Sequence, residues 1–499
     1  MNITFRGGVH PDDCKEYSRD AALTVYEPSG DLVFPVSQHI GKPAKILVKK
    51  GDPVLVGQKI ADNDGYISAD IHSSVSGKVK AIERRRTVAG SMVDCIVVEN
   101  DGLYNTVEGF GEDTDYTVLD RKQILFRIRE AGIVGMGGAG FPTPVKLEPR
   151  NPDAINYVIV NGAECEPYIT CDDQLMRTHA AEIVTGLKII LKLFDNAEGV
   201  ILIEDNKPEA IEAMKSVVGS QRRIRVQVAP KKYPQGGERA IMKVVTGLDT
   251  KLAVLPADYG CIINNVGTVY AIYEAICKNI PLIRRAVTVT GPGINNPSNL
   301  IARLGTSCRE LIEAAGGFKE GEEIKKILSG GPMMGIAMSS IDVPLQKGNN
   351  AITVLTEDPV EIAEEMQTAC IRCGRCNRAC PVGLIPQEMQ IAAEKKDYDR
   401  YENKLYGLEC IQCGSCTYVC PAKRPLMVLF KHAKTEILAI KRAEQAKAAA
   451  EKALADKQET ESLMELFRKF REEEEKAARK ATENETRVQA IIASGKEEK

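Results

Sequence analysis

Residues 370–381, CIRCGRCNRACP, return in altered form at 410–421 as CIQCGSCTYVCP, so the spacing Cys-x2-Cys-x2-Cys-x3-Cys-Pro occurs twice. This is a spacing that holds [4Fe–4S] clusters. Two Cys-x2-Cys steps wrap a short loop around three corners of one cube, and the fourth Cys, carried on along a following helix, points at the other cluster. The reading therefore assigns Cys370, Cys373, Cys376 and Cys420 to cluster one, and Cys410, Cys413, Cys416 and Cys380 to cluster two. Structural zinc is the alternative, because Cys-x2-Cys binds it too. Zinc takes four ligands per site, however, and gives no reason for a third evenly spaced Cys and a trailing Cys-Pro in both runs. Such clusters move one electron at a time, so a tandem pair is a wire that something else must load and unload.

The remaining seven of the 15 cysteines, Cys14, Cys95, Cys165, Cys171, Cys261, Cys277 and Cys308, lie among small or apolar neighbours and read as buried hydrophobes. An odd count excludes a closed disulfide framework and suits a reducing compartment. With 66 Lys+Arg against 69 Asp+Glu, the formal charge of −3 excludes a basic nucleic-acid binder. At 499 residues and 43% hydrophobic content, the chain has material for about three or more domains. No run approaches the ~18 apolar residues of a membrane span, and MNITFRGGVHPDD lacks the apolar core of a signal peptide, so a cytosolic chain without a span is expected. Trp is absent and aromatics reach only 5%, which argues against sugar platforms and membrane-interface belts.

Residues 32–100 read as short strands: GKPAKILVKKGDPVLVGQKIA, a turn at Gly65, SSVSGKVKAIE and SMVDCIVVEN. The pattern resembles the flattened barrel of biotinyl and lipoyl domains, but ADNDGYISADIHSS offers no Lys-bearing hairpin tip, so a structural or docking role is expected rather than a carrier role. From about Lys122, helical and strand patterns alternate: QILFRIREAGI, INYVIVNGAE, HAAEIVTGLKIILKLF and GVILIED. They predict a parallel α/β sheet whose ligand crevice lies at the carboxyl ends of the strands. Residues 286–345 return to β character (AVTVTGPG), with the helix-like SCRELIEAAGG and the turn SGGPMMG, and PVEIAEEMQTAC is a helical entry to the cysteine runs. After Pro425 no Gly or Pro occurs until Gly495, and residues 431–499 carry 16 Lys/Arg and 15 Asp/Glu. A solvated helix and a partner-binding helix both fit this tail. Arg372, Arg375 and Arg378 around the first motif read either as solvated surface or as an attractor for an acidic partner.

Gly135-Met136-Gly137-Gly138-Ala139-Gly140-Phe141-Pro142-Thr143-Pro144-Val145-Lys146 places four glycines within six residues, so the backbone can lie flat against a ligand and aim N–H groups at phosphates. It is neither G-x-G-x-x-G nor a Walker A loop. The strand YVIV then runs into Asn161-Gly162-Ala163-Glu164-Cys165-Glu166-Pro167, an acidic pair at a strand end where α/β ligands bind. GMGGAGFPTPVK, NGAECEP, YPQGGERAIMKVVTG and INNVGT stand in the same order as the flavin- and NADH-binding motifs of the 51-kDa flavoprotein subunit of respiratory complex I, which the chain resembles here. VTVTGPG and LGTSCRELIEAAGG resemble the SLBB (β-grasp) domain that follows in that family. FRGGVHP, VFPVSQHIGKPA and the tandem cysteine module narrow the resemblance to the C-subunit family of Rnf electron-transport complexes, over essentially residues 1–430.

The resemblance implies a multidomain α/β and α+β fold: an N-terminal biotinyl/lipoyl-like β domain (1–115), a Rossmann-like FMN/NAD(H)-binding α/β domain (120–283), an SLBB β-grasp domain (284–350), a two-cluster ferredoxin-like helical module (358–430) and a charged helical tail (431–499). It implies that Gly135, Gly137, Gly138 and Gly140 line flavin and dinucleotide, with Phe141 near the adenine and Lys146 at the flavin. Asn161 and Glu164 match residues that hydrogen-bond FMN. Glu166 and Glu238 match carboxylates beside the nicotinamide, orienting it without a proton-transfer role. Asn264, Asn265 and Thr268 match the motif that holds the ribityl phosphate. Departures from the family stand at Met136, Pro144, Ala163, Gly237 and Gly267, where polar or other residues are replaced.

The cofactors so implied are two [4Fe–4S] clusters and non-covalent FMN, with NAD(H) as substrate. The partners are the other Rnf subunits, including a ferredoxin-like subunit and membrane subunits, with no nucleic acid. The place is the cytoplasmic face of the membrane, as a peripheral subunit of an ion-translocating ferredoxin:NAD+ oxidoreductase moving Na+ or H+. A soluble flavin–iron–sulfur dehydrogenase or hydrogenase diaphorase subunit, and a cluster-bearing scaffold with an empty flavin site, are the alternatives.

Overall fold

Four runs of β-branched residues, Tyr157–Gly162, Glu198–Glu204, Ile224–Ala229 and Cys261–Asn265, form the central sheet in the computed structural model. The structure describes residues 4–138, 140–250 and 254–494, with 489–494 as backbone alone, so the outermost residues expected of the first domain and of the tail (1–3 and 495–499) lie outside the described residues. All pairings in this sheet are parallel, in the spatial order 224–229, 198–204, 157–162, 261–265. A parallel sheet covered on both faces needs continuous rather than alternating apolar strands, and Val158, Ile159, Val160, Val200, Ile201, Leu202 and Ile203 are all fully buried. Helices Arg121–Glu130, Ala180–Leu191, Pro208–Val218 and Val266–Cys277 cover one face, and Glu238–Thr246 with Phe5 covers the other. Asp120 and Gln123 start the first of these helices with a reciprocal capping box. The chain moves outward from 157–162 to 224–229, then returns to the opposite side of 157–162 with 261–265. That reversal opens a crevice at the carboxyl ends of those two strands.

The N-terminal barrel is built from Leu32–Pro35, Met92–Asn100, Gly77–Arg86 and Pro53–Val54 in one antiparallel sheet, and Lys45–Ile46, Lys59–Asp62 and Ile71–His72 in another. Leu32, Phe34, Ile60, Ile71, Val79 and Ile96 fill it, while the Lys, Glu and Arg residues of GKVKAIERRR face outward.

The third sheet departs from the expected boundaries. Its six strands run Leu23–Tyr26, Ser298–Arg303, Arg284–Thr290, Ala351–Leu355, Lys326–Ser329 and Ile336–Ala337, with helix Cys308–Ala314 alongside. Leu23–Tyr26, expected within the 1–115 β domain, pairs in parallel with Ser298–Arg303, and Ala351–Leu355 lies beyond the expected end at 350 while sitting inside the sheet. A four-residue strand carries no local signal of which sheet edge it joins, because pairing partners are distant in sequence. The domains are also tied together by buried side chains. Lys347 Nζ donates to Asp70 O (2.6 Å) and Gly132 O (2.7 Å), and Ser74 Oγ donates to Leu304 O (2.6 Å). Residues up to Phe430 form one compact unit.

From Lys431 the chain is a second unit, the distal part of a single helix, Leu426–Ser494. Exposed i,i+4 pairs such as Lys469–Glu465 (3.4 Å) and Arg468–Glu472 (3.8 Å) run along it. Among the described residues, no helix is long and apolar enough to cross a membrane.

Candidate functional site

The reversal of strand order sets Asn265 in register with Asn161, and Asn264 beside Val160, at the mouth of the crevice. Strand Cys261–Asn265 passes directly into helix Val266–Cys277, whose first N–H groups therefore point at the same opening, where an anion is favoured. The glycine loop closes over this point. Met136 N donates to Thr268 Oγ1 (3.0 Å), and Gly137 lies so close to Asn265 that a Cβ there would sit 2.9 Å from the asparagine's own. Gly137 and Gly138 are exposed, Gly135 and Phe141 half-buried, and Gly140 turns back onto Gln38 and His39 of the barrel.

Three polar side chains along this crevice have unmet hydrogen bonds. Asn264 is 2% exposed and neither amide atom has a partner among the described residues; Gln235, fully buried in the facing loop, is in the same condition, as is the Thr143 hydroxyl just past the glycine loop. Each orphaned buried group costs about 1–3 kcal/mol, so native folds keep few of them. An oxygen- and nitrogen-rich ligand at this opening would give Asn264 the partners it lacks, and FMN, with its phosphate, ribityl hydroxyls and polar ring edge, has the chemistry these residue types fit.

Other expected contacts are committed within the protein. Asn265 Oδ1 accepts from Gly267 N (2.8 Å) and its Nδ2 donates to Asp172 (2.7 Å), while Asn161 bridges Gly236 O (3.1 Å) and Ala163 N (3.2 Å). Thr268 is the acceptor for the glycine loop. These three residues shape the crevice, and Asn264 is the open member of the group. Gly267 and Met136 are closely fitted: a side chain at Gly267 would press on Met136 Cε and Asn265 Oδ1, both at 3.1 Å. Pro144 and Ala163 are buried, and Gly237 precedes helix Glu238–Thr246 without a side-chain cap.

The carboxylates divide in a way the sequence reading did not anticipate. Glu238, the first residue of its helix, is 53% exposed and stands 3.7 Å from Lys146, whose Nζ also donates to Ile263 O (2.9 Å). Glu166, expected beside the nicotinamide, instead accepts from Met333 N (2.6 Å) and Met334 N (2.9 Å) of the turn 329–335. Burial raises its pKa, and those two N–H donors oppose the rise. Glu164, expected on the flavin, is turned inward with a left-handed φ of 40°, and its carboxylate accepts from Asp172 N (2.7 Å) and Asp173 N (3.3 Å) at the start of helix Cys171–Thr178. Both placements share one setting: the loop 163–169 is packed from beneath by buried lysines. Lys15 Nζ donates to Glu164 O (2.9 Å) and Ile169 O (2.5 Å), and Lys207 Nζ to Ala163 O (2.7 Å) and Glu204 (3.0 Å). Neither lysine was legible in the sequence, since nothing local in DDCKEYSRD or EDNKPEA marks a buried ammonium. Gln235 and Tyr233 lay inside the quoted YPQGGER motif, which could have flagged them.

The two cysteine runs fold alike. Each has left-handed residues at matching places, Arg372 with Gln412, Gly374 with Gly414 and Gly383 with Lys423, and a short helix, Arg375–Ala379 or Ser415–Tyr418. These turns aim N–H groups at sulfur: Gln412 N donates to Cys410 Sγ (3.4 Å) and Leu384 N to Cys380 Sγ (3.3 Å). Burial pushes the Cys416 thiol up, and the nearby Cys410, Cys413 and Cys380 add to the rise; burial pushes Cys376 up likewise, with Cys420 and Cys370 beside it. Cys380, Cys410, Cys413 and Cys416 line one small apolar pocket, walled by Leu384, Ile411, Met389 and Phe430. Soft thiol donors, apolar walls and N–H···S bonds fit an iron–sulfur cluster. The second run faces the flavin crevice, because Tyr233 OH donates to Cys413 O (2.7 Å) and Arg239 pairs with Glu409 (2.6 Å). Cys370 and Cys373 are exposed, as are the neighbouring Arg372, Arg375 and Arg378.

Four family models match the chain: an RnfC barrel sandwich hybrid domain over 3–103, a Nuo51 FMN-binding domain over 128–274, an SLBB domain over 286–337 and a 4Fe-4S dicluster domain over 369–424. Among curated relatives, the C subunit of the proton-translocating ferredoxin:NAD(+) oxidoreductase complex of Clostridium ljungdahlii is 45% identical over 90% of this chain and 97% of its own length. The C subunit of the Na(+)-translocating counterpart in Acetobacterium woodii is 40% identical over 89% of this chain and 99% of its own. The C subunit of the ion-translocating oxidoreductase complex of Vibrio cholerae is 39% identical over 80% of this chain but 51% of its own length.

Proposed function

Because the chain belongs to the family of C subunits of ion-translocating ferredoxin:NAD(+) oxidoreductase complexes, we propose that it is the NAD(H)-handling oxidoreductase subunit of such a complex, linking NAD(H) through FMN to two [4Fe–4S] clusters. One observation carries this reading: a single compact unit holds the crevice with unpaired Asn264 and, one hydrogen bond from its facing loop, Cys413 of a cluster run. Bound FMN supplies the exchange between the paired electrons of a hydride and the single electrons a cluster accepts.

The chain's residues hold and orient. Asn264 and the N-terminus of helix Val266–Cys277 hold the phosphate and ribityl end, with Gln235 and Thr143 as further donors and acceptors. Gly137 and Gly138 leave the backbone open to the dinucleotide, with Phe141 at its adenine end. Glu238, tethered by Lys146, orients the nicotinamide, whereas Glu166 pins the turn 329–335 at the edge of the site. Cys410, Cys413, Cys416 and Cys380 ligate the cluster nearer the flavin, and Cys370, Cys373, Cys376 and Cys420 the outer one. The exposed arginines around Cys370 and Cys373 would give a ferredoxin-like subunit a place to exchange electrons with the outer cluster. The chain sits peripherally on the cytoplasmic face, and membrane subunits move Na+ or H+.

The isolated chain is expected to bind about one FMN and about eight iron atoms and to reduce ferricyanide with NADH. Full iron with no flavin and no NADH-dependent reduction would instead establish the cluster-bearing scaffold, the reading that Met136, Ala163, Gly237 and Gly267 favour by removing polar contacts.

A further inference from the structure

The N-terminal FRGGVHP segment lies between the two halves of the proposed electron path. Phe5 is 4% exposed and packs into the core beneath the parallel sheet, where Lys232 Nζ donates to its carbonyl (2.7 Å) and lies over its ring. Gly8 N donates to Ala379 O (2.9 Å), next to the ligand residue Cys380. Val9 then pairs with Tyr233 through both backbone bonds (2.8 and 2.9 Å), and Tyr233 OH donates to Cys413 O. Val9, Tyr233, Ala379 and Cys413 form one small buried cluster, with Cys165 and Ile411 packed against it.

Gly7 and Gly8 are both left-handed, at φ +69° and +79°. A Cβ on Gly7 would lie 2.6 Å from Cys380 O, and one on Gly8 would lie 2.7 Å from Tyr233 O. Only glycine permits both the backbone turn and the close approach, so the segment sits directly against the chain that bears two of the four cluster-two thiols.

We propose that residues 5–9 are a positioning strap, which, with Tyr233, fixes the cluster of Cys380, Cys410, Cys413 and Cys416 at electron-transfer range of the flavin crevice. The proposal rests on the functional reading above. The strap takes no part in the chemistry: one electron at a time leaves the NADH-reduced site and reduces the cluster from its 2+ to its 1+ state, with no bond made or broken in residues 5–9. What the strap sets is the separation, on which the rate of that transfer depends steeply.

The test uses the full chain loaded with FMN and iron, unmodified and as Gly7→Val and Tyr233→Phe. Flavin and iron content are measured, together with the rate of flavin bleaching by NADH, the rate of cluster reduction by rapid-freeze EPR, and amide hydrogen exchange over 410–416. The expected result in either variant is full cofactor content and unchanged flavin bleaching, cluster reduction slowed about 10-fold or more, and faster exchange over 410–416. Should Gly7→Val fail to fold, Tyr233→Phe decides: the hydroxyl it removes meets both Cys413 O and Glu166, and unchanged flavin bleaching separates loss of the first contact from loss of the second. Cluster reduction at the unmodified rate, or loss of the cluster iron itself, overturns the strap. Failure of NADH to reduce the clusters of the unmodified chain overturns the functional reading, and the strap with it.

Discussion

Asn264 and Asn265 are neighbours in one motif, yet the fold gives them different work. Asn265 bonds at both ends of its amide, to Gly267 N and to Asp172, whereas Asn264 bonds at neither among the described residues. An alternation of this kind follows from strand geometry, since successive side chains at the end of Cys261–Asn265 point to opposite faces. The motif was legible in the sequence; which of its members stays open was not, because that depends on Asp172 arriving from another part of the chain. Asn264→Leu is expected to weaken FMN binding about 10-fold or more, the equivalent of at least ~1.4 kcal/mol of lost hydrogen bonding, with iron content intact. Flavin titration of the apoprotein checks this, and unchanged affinity removes Asn264 from the phosphate end. Glu164 and Glu166 teach the same lesson more sharply. Both were placed correctly at a strand end, but their carboxylates are claimed by backbone N–H groups from residues 172–173 and 333–334.

At the scale of elements, the cysteine runs were the most legible part of the chain, because their pattern is local: the two runs fold alike, with matching left-handed turns. Their crossing remains a proposal: Cys380 and Cys420 follow short helices, Arg375–Ala379 and Ser415–Tyr418, that carry them beyond their own loops. Crossed ligation makes a prediction that separate ligation does not. The double variant Cys380→Ser with Cys413→Ser damages a single cluster and retains about four irons, whereas Cys380→Ser with Cys373→Ser damages both and retains almost none. Iron analysis with EPR of the dithionite-reduced proteins decides it, and the reverse pattern would mean that each run closes on its own fourth Cys. The parallel sheet was legible for a related reason: INYVIVNGAE and GVILIED are continuous apolar runs, which a doubly covered sheet requires, and both became buried strands.

For the molecule as a whole, the order of domains was readable and their seams were not. Leu23–Tyr26 leaves the N-terminal region to edge the third sheet, Lys347 reaches back to Asp70 and Gly132, and residues 5–9 run between the flavin half and the cluster half. Each is a contact between residues far apart in sequence, made by a short or polar stretch with no periodicity to announce it. The same contacts make residues up to Phe430 one unit, and it is this continuity that lets a hydride-handling crevice and an electron wire work as one device. The most direct test of that claim is EPR of the anaerobic, full-length protein after addition of NADH with no other reductant. The account predicts flavin bleaching together with the signal of a reduced [4Fe–4S] cluster. Clusters that dithionite reduces but NADH leaves silent, even as the flavin bleaches, would contradict it.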